Sequence, residues 1–135
     1  MKRLIQLVCL LLIMSMAVTI PAFAAEQASH YFAAHSCYLW EVSDSEFQVW
    51  FDVTAVDAMD VLGVSEVKVQ HSDDGVNWST VATYYDYYNN GKSHYGGHVD
   101  FSDVTSGYYR AKVTFHAEND NGTGEYIDYT SSLHY

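Results

Sequence analysis

The sequence is poor in basic residues. Six Lys or Arg stand against 17 Asp or Glu in 135 residues, which gives a formal net charge of −11 at neutral pH. A nucleic-acid-binding protein needs clustered cations for the phosphate backbone, and a protein that docks on anionic lipid needs them for the head groups. The composition therefore argues against both classes. With 49% hydrophobic residues the chain is too apolar for a disordered acidic tail, and its length suits one domain.

Cysteine is also scarce, since Cys9 and Cys37 are the only two. Cys9 lies in an N-terminal apolar run, so a processed chain would keep Cys37 alone and form no internal disulfide. We expect a buried, inert thiol at Cys37, whereas an outward side chain would allow an intermolecular disulfide. The chain lacks G-x-S-x-G, H-E-x-x-H and phosphate-loop motifs, and no Cys-His family signature surrounds Cys37. We therefore predict no catalytic residues, no cofactor and no enzyme activity.

Residues 1–24 have the features of a secretory signal peptide. A basic start, Lys2-Arg3, precedes an apolar run over residues 4–20, which ends in Pro21-Ala22-Phe23-Ala24 with small residues before a cleavage site. No second apolar run follows. Loss of this signal helix after Ala24 would release a secreted domain of residues 25–135 without membrane attachment. Four basic residues would then stand against 17 acidic ones, a charge of −13.

Period-two alternation dominates the remaining chain and predicts β-strands. Apolar residues from Phe47 to Ala55 alternate with polar ones, and Tyr109 to Ala117 repeats the pattern. Weaker strands are expected at Tyr38–Val42, Val67–Val69, Trp78–Ala82, Tyr95–Phe101 and Ile127–Leu133. Ala55–Gly63 is expected to join two strands across the sandwich. Together the pattern predicts an all-β fold, a single antiparallel two-sheet sandwich of about seven strands.

Turn sequences support this division and carry a resemblance. The stretch Val67–Trp78, VKVQHSDDGVNW, resembles the V-x-V-x-x-S-x-D-G-x-x-W hairpin of fibronectin type III-like and immunoglobulin-like modules. Tyr109–Gly122 resembles a late stretch of those modules, in which the tyrosine-corner role falls to Tyr108 or Tyr109. The whole chain is similar to small secreted proteins of Gram-positive gut bacteria that carry a domain of unknown function. The resemblance implies an immunoglobulin-like or fibronectin III-like sandwich and a secreted address, and no activity.

The segment from Tyr84 to His98 concentrates tyrosine, asparagine and glycine between two predicted strands. Tyrosine offers a large rigid face with a polar tip, and asparagine and glycine let the backbone adapt, so this composition is typical of binding loops. Six of its residues are candidate ligand-binding or partner-binding residues: Tyr85, Tyr87, Tyr88, Asn89, Asn90 and Tyr95. The alternative is that some of these tyrosines complete the core and the rest are solvated.

Two tryptophans join the candidates. Trp50 lies opposite the apolar face of its predicted strand, and Trp40 belongs to a strand near an edge. Exposed indoles beside the polar Gln48 and Asp52 would form a platform for a carbohydrate. The alternative is that the residues of the Ala55–Gly63 crossover or the side chains of a neighbouring strand cover Trp50.

Metal sites are not expected. His94 and His98 fall on one face of a strand, but an extended chain separates them by about 13 Å, too far to share one ion. The sequences around Gly75 and Gly122 fit no twelve-residue calcium loop and are better explained as hairpin turns.

The sequence thus favours a non-catalytic secreted binding or adhesion-type module for a surface, an extracellular glycan or a protein. One alternative is a structural, self-associating extracellular protein without a small ligand. A remote alternative is a hydrolase using His71, Asp73 or the pair His94 and His98.

Overall fold

The computed structural model of the protein describes residues 30–135. The predicted signal peptide and its cleavage site lie outside the described residues. Eight strands follow one another: β1 Phe32–Ser43, β2 Glu46–Met59, β3 Val61–Ser72, β4 Ser79–Asn89, β5 Lys92–Phe101, β6 Tyr108–Asn119, β7 Gly122–Tyr129 and the short β8 Leu133–His134. Within residues 30–135 we find no helix with the length and apolar character to cross a membrane.

The strands form two antiparallel sheets, as predicted. A three-stranded sheet has the order β1-β2-β5, and a five-stranded sheet has the order β4-β3-β6-β7 with β8 paired to β6. Strands β1 and β5 are the edges of the smaller sheet, and β2 is central. The two sheets pack face to face, so each has an inner face on the core and an outer face on solvent.

The strict alternation of β2 and β6 builds the core. On β2, Val49, Phe51 and Val53 are buried, and on β6 Val113 and Phe115 are buried with no exposed surface. Full burial of each such side chain stabilises the fold by about 1.5–3 kcal/mol. The polar residues between them point outward and define the two outer faces.

Within Ala55–Gly63 the chain crosses from the three-stranded to the five-stranded sheet, as predicted, but most of the segment is strand. β2 continues to Met59 and β3 begins at Val61, so only Asp60 lies between them. Residues 56–58 are all exposed, which interrupts period two and hides the continuing strand from pattern reading. The pairing of β2 with β5 is irregular at the same place.

The Tyr84–His98 segment, expected as a connection, is also strand apart from its turn. Only Asn90 and Gly91 lie between β4 and β5, and Gly91 adopts a φ of 64°, which glycine tolerates. There the chain passes from the five-stranded to the three-stranded sheet. Asp86 has a φ of 65°. It shifts the alternation by one residue, so that Tyr84 and Tyr87 both pack against the core.

Hydrogen bonds stabilise the loop before β6 and the turn between β3 and β4. Tyr109 is buried and its hydroxyl oxygen accepts a hydrogen bond of 2.9 Å from the Thr105 N–H. In the β3–β4 turn the Asp74 carboxylate accepts hydrogen bonds of 2.8 Å from the N–H groups of Val76 and Asn77. These bonds, with others from the Asn77 amide and the Ser72 hydroxyl, hold the pKa of Asp74 well below its usual range.

Candidate functional site

The outer face of the three-stranded sheet gathers aromatic and acidic side chains. We call it the acidic face and define it by Tyr38 and Trp40 of β1, Gln48, Trp50 and Asp52 of β2, and His94, Gly96, His98 and Asp100 of β5. Strand alternation points all of them away from the core. The nine residues that define it include the carboxylates of Asp52 and Asp100 and no Lys or Arg.

A row of three rings crosses this face. The register places Trp50 between Tyr38 on one side and His98 on the other. The centroid of the His98 ring lies 4.6 Å from that of Trp50. The Tyr38 ring is almost parallel to the Trp50 ring, with its centroid 6.3 Å away. Trp40, on the same strand as Tyr38, is 60% exposed. Side chains of neighbouring strands therefore cover part of Trp50, while Trp40 and Tyr38 present apolar surface to solvent.

Hydrogen bonds fix the polar side chains beside this row. The Trp50 indole N–H donates to Gln48 Oε1 at 2.9 Å, and Gln48 Nε2 donates to Asp100 Oδ1 at 2.8 Å. This chain determines which way the Gln48 amide points. A ligand would therefore meet an oriented indole and an oriented carboxylate, which lowers the ordering cost of binding.

Next to Trp50 the sheet surface has an open depression of about 410 Å³. Gly96 keeps it open, because a Cβ at that position would lie 2.9 Å from Asp52 Oδ2. His94 Nε2 contacts the same Asp52 oxygen at 2.7 Å. The depression thus combines the Trp50 indole, the Asp52 carboxylate and the His98 imidazole, and His94 lies beside it in contact with Asp52.

The structure separates the residues that the sequence singled out. Trp40 and Trp50 lie on the acidic face. Tyr85 and Tyr88 lie on the outer face of the five-stranded sheet, where their partners are Glu66 and Gly63 of β3. The candidates from the tyrosine-rich segment therefore do not share one surface with the tryptophans.

The remaining candidates lie elsewhere again. Tyr87 and Tyr95 pack against the core beside Phe51, with ring centroids 5.8 and 6.1 Å from the centroid of its ring. Burial raises the pKa of Tyr95, as expected for a phenol turned inward. Asn89 and Asn90 are exposed at the β4–β5 turn. No contact in the structure tests whether any of these residues binds a ligand, and that role stays a prediction.

Tyr38, Gly96 and His98 complete the acidic face, although sequence reasoning did not choose them for binding a glycan. Their only sequence signal is position on the outward side of a strand. The pairing of β1, β2 and β5 is needed to predict them, because it places Tyr38 and His98 directly opposite Trp50.

Cys37 has surroundings unsuited to a nucleophile. It lies half-buried on the inner side of β1, and burial together with the Asp128 charge raises the pKa of the thiol to about 12. His35 Nδ1 lies 3.4 Å from Asp128 Oδ2, without hydrogen-bond geometry. The Cys37 thiol therefore stays protonated at neutral pH, and the thiolate is the reactive form. Within residues 30–135 no three His, Cys, Asp or Glu side chains are arranged to hold a metal ion.

Comparison of the chain with protein-family models, with curated protein sequences and with solved structures gave no match.

Proposed function

We propose that the chain is a non-catalytic, secreted binding module whose acidic face holds an uncharged extracellular glycan. The observation that carries the proposal is the ring row of Tyr38, Trp50 and His98 beside an open, carboxylate-lined depression. The C–H face of a sugar ring stacks on aromatic rings, and its hydroxyl groups donate to oriented carboxylates and amides. Both features occur here on one rigid sheet.

The charge of this face supports an uncharged ligand. Asp52 and Asp100 are both more than half exposed by side chain, and no Lys or Arg among the described residues lies within salt-bridge distance of either carboxylate. A uronic or sulfated sugar would meet like charge here, which costs binding energy. Neutral hexoses and N-acetylated hexosamines avoid that cost and can donate their hydroxyls to the carboxylates.

A binding role fits the described groups better than a catalytic one. The thiol of Cys37 stays protonated at neutral pH, and it lies on the inner side of its sheet. Asp52 and Asp100 are hydrogen-bonded to His94 and Gln48 on a flat surface. A flat, solvated surface gives little of the water exclusion that strengthens electrostatic catalysis.

The same proposal includes a fibronectin III-like fold and secretion from the cell. Strand orders β1-β2-β5 and β4-β3-β6-β7 and the Tyr109 hydroxyl bonded to Thr105 four residues upstream support a fibronectin III-like sandwich with Tyr109 as the tyrosine corner. The pattern of residues 1–24 supports export. Mass spectrometry of protein from the culture medium tests the address, and a mature chain starting at Ala25 is the expected result.

Self-association is the second candidate, and one observation favours it. β1 is a 12-residue edge strand without Lys or Pro, and it exposes Tyr38, Trp40 and Val42. Native edge strands usually carry charges or prolines that block pairing with another chain. Sedimentation velocity at several concentrations decides between the candidates, because a stable dimer through β1 would change the surroundings of Trp40.

A glycan array with the purified protein tests the main proposal. Binding should be restricted to neutral glycans. It should weaken at least tenfold in the Trp50→Ala and Tyr38→Ala variants, because aromatic anchors dominate such contacts. Tyr85→Ala, a matched aromatic truncation on the opposite face, should bind as wild type does. Absence of binding to any neutral glycan, or equal loss in Tyr85→Ala, would overturn the proposal.

A further inference from the structure

The few basic residues are not spread evenly. Of the four Lys or Arg in residues 30–135, three lie on the outer face of the five-stranded sheet, and Lys92 is the first residue of β5, directly after the β4–β5 turn. Lys68 on β3 is directly opposite Lys112 on β6, and Gln70 is opposite Arg110. Like charges directly opposite one another destabilise a sheet. In a chain with 17 acidic residues, this placement of its cations calls for a reason beyond stability.

Lys68 and Lys112 differ in whether a carboxylate pairs with the ammonium group. Lys68 Nζ lies 2.9 Å from Glu66 Oε1, and this hydrogen bond raises the pKa of Lys68. Lys112 has no carboxylate within salt-bridge distance among the described residues. The Lys112 ammonium group is therefore available to an anion from outside the chain.

Arg110 is held in one orientation. Its guanidinium carbon lies 4.4 Å from the Trp78 ring centroid and 4.7 Å from the Tyr129 ring centroid. Its Nε donates to Gln70 Oε1 at 2.8 Å. The hydrogen bond uses only Nε, which leaves the terminal N–H groups for a ligand. A planar guanidinium held in this way suits a planar carboxylate, which it can bind through two parallel hydrogen bonds.

Apolar surface flanks these cations. Tyr85 is 61% exposed, Ile127 is 50% exposed, and Tyr129 is also largely exposed. Tyr85, Lys112 and Ile127 line a shallow, open depression of about 370 Å³, and the carboxylates of Glu66 and Glu125 line it with them. We call the part of this outer face around Lys68, Arg110 and Lys112 the basic face. Of the neighbouring carboxylates, Glu66 is paired with Lys68, and Glu125 lies 3.4 Å from His116 Nδ1.

We propose that the basic face is a second binding site, which takes an acidic glycan with carboxylate-bearing sugar rings. A uronic acid carries a C–H ring face for Tyr85 or Tyr129 and a carboxylate for Arg110 or Lys112 in the same unit. An acidic protein segment shares the carboxylates, but it lacks that pairing of ring face and charge within one residue. The open, shallow surface also lets an extended polysaccharide chain lie across it.

Isothermal titration with polygalacturonate and with hyaluronan tests this site at 150 mM salt. The Debye length is then about 8 Å, so repulsion from the distant carboxylates of the protein is largely screened. Methyl-esterified forms of both polymers keep the sugar chain and remove the charge. We expect at least one of the acid forms to bind and the esterified form of that polymer to bind at least tenfold more weakly.

Three variants locate the binding. Lys112→Gln and Arg110→Gln should each weaken it severalfold, and the double variant should weaken it more than tenfold. Lys92→Gln makes the same chemical change at the β4–β5 turn and should leave the affinity within twofold of wild type. Trp50→Ala, on the acidic face, should also leave it unchanged, which separates this site from the proposed neutral-glycan site.

Several outcomes would overturn the second site. Absence of binding to both acid polymers, equal binding to their esters, or equal weakening by Lys92→Gln would each do so. Tighter binding of poly-L-glutamate than of either polysaccharide would show that the surface takes acidic protein instead. Failure of neutral-glycan binding alone would leave the second site standing.

Discussion

The acidic and basic faces are built by the same rule and differ in their charge. Each lies on the outward side of a sheet, and each places a tryptophan in contact with a polar group from another part of the chain. On the acidic face Trp50 contacts the His98 ring and donates to Gln48, whereas on the basic face Trp78 contacts the Arg110 guanidinium. The sandwich thus presents carboxylates without a paired Lys or Arg on one side and a cluster of three cations beside Glu66 on the other, which would let the two faces select different ligands.

The core is the first place to test this comparison, because it supports both faces. Phe115→Ala removes a fully buried ring from β6 and should lower the free energy of unfolding by about 3–5 kcal/mol. Both faces should then lose binding together in proportion to the unfolded fraction. Ile127→Ala on the exposed side of β7 is the control and should change stability by about 0.5 kcal/mol at most. Urea unfolding measures both, and a Phe115→Ala protein as stable as wild type would contradict the packing described.

A substitution at Gly96 should affect the acidic face and leave the basic face unchanged. In Gly96→Ala the new methyl group would lie 2.9 Å from Asp52 Oδ2, so the carboxylate must move and the depression beside Trp50 narrows. We expect neutral-glycan binding to fall about tenfold, on the order of 1.4 kcal/mol, with acidic-glycan binding unchanged. Titration of both ligand classes checks this. Equal loss of both would mean that the substitution acts through the fold and not through the acidic face.

The β3–β4 turn offers a change confined to the basic face. Asp74→Ala removes the acceptor that binds the N–H groups of Val76 and Asn77, so Trp78 should move away from Arg110. Asp73→Ala changes an adjacent, exposed carboxylate and is the matched control. Fluorescence quenching of Trp78 by acrylamide, in a Trp40→Phe/Trp50→Phe background, measures the movement. Unchanged quenching in Asp74→Ala would show that the turn does not position the indole.

Lowering the pH extends the test of whether the Asp74 carboxylate positions Trp78. The folded state lowers the pKa of Asp74 and so favours the carboxylate. Its contribution is complete above the unfolded pKa of about 3.9 and is lost as pH falls further towards the lower folded pKa. Trp78 should therefore keep its environment between pH 7 and 4 and change only below that. A change centred near pH 5 would exclude Asp74 as its cause.

Cys37, on the inner side of β1, should respond least to changes on either face. With a pKa of about 12 the native thiol should react with iodoacetamide at pH 8 at least about a hundredfold more slowly than in the urea-unfolded chain. Labelling followed by mass spectrometry measures the rate. Variants that alter only one face should keep this protection. Fast labelling of the native protein would show that the sandwich opens along β1.

The fold class could be predicted because the two central strands alternate without interruption. In β2, Phe47, Val49 and Phe51 face the core, and this pattern is local to the chain. The alternation fails as a guide where the backbone departs from it. Asp86, with its positive φ, turns Tyr87 inward, and the exposed residues 56–58 hide the end of β2.

The two faces could be predicted only in part. Alternation alone places Trp50 outward. The pairing of Trp50 with His98, and of Lys68 with Lys112, depends on which strands are neighbours and in what register. Such contacts join residues more than 40 positions apart, and a single sequence carries no local signal for them.

Fluorine NMR of 5-fluorotryptophan-labelled protein tests most directly whether neutral and acidic glycans bind to different faces, because the three tryptophans report on both faces. Trp40→Phe, Trp50→Phe and Trp78→Phe assign the three resonances. The array's best neutral glycan should shift the Trp40 and Trp50 resonances alone, and polygalacturonate or hyaluronan should shift the Trp78 resonance alone. If one ligand class shifted all three resonances, or if both classes shifted the same one, the two-face interpretation would be contradicted.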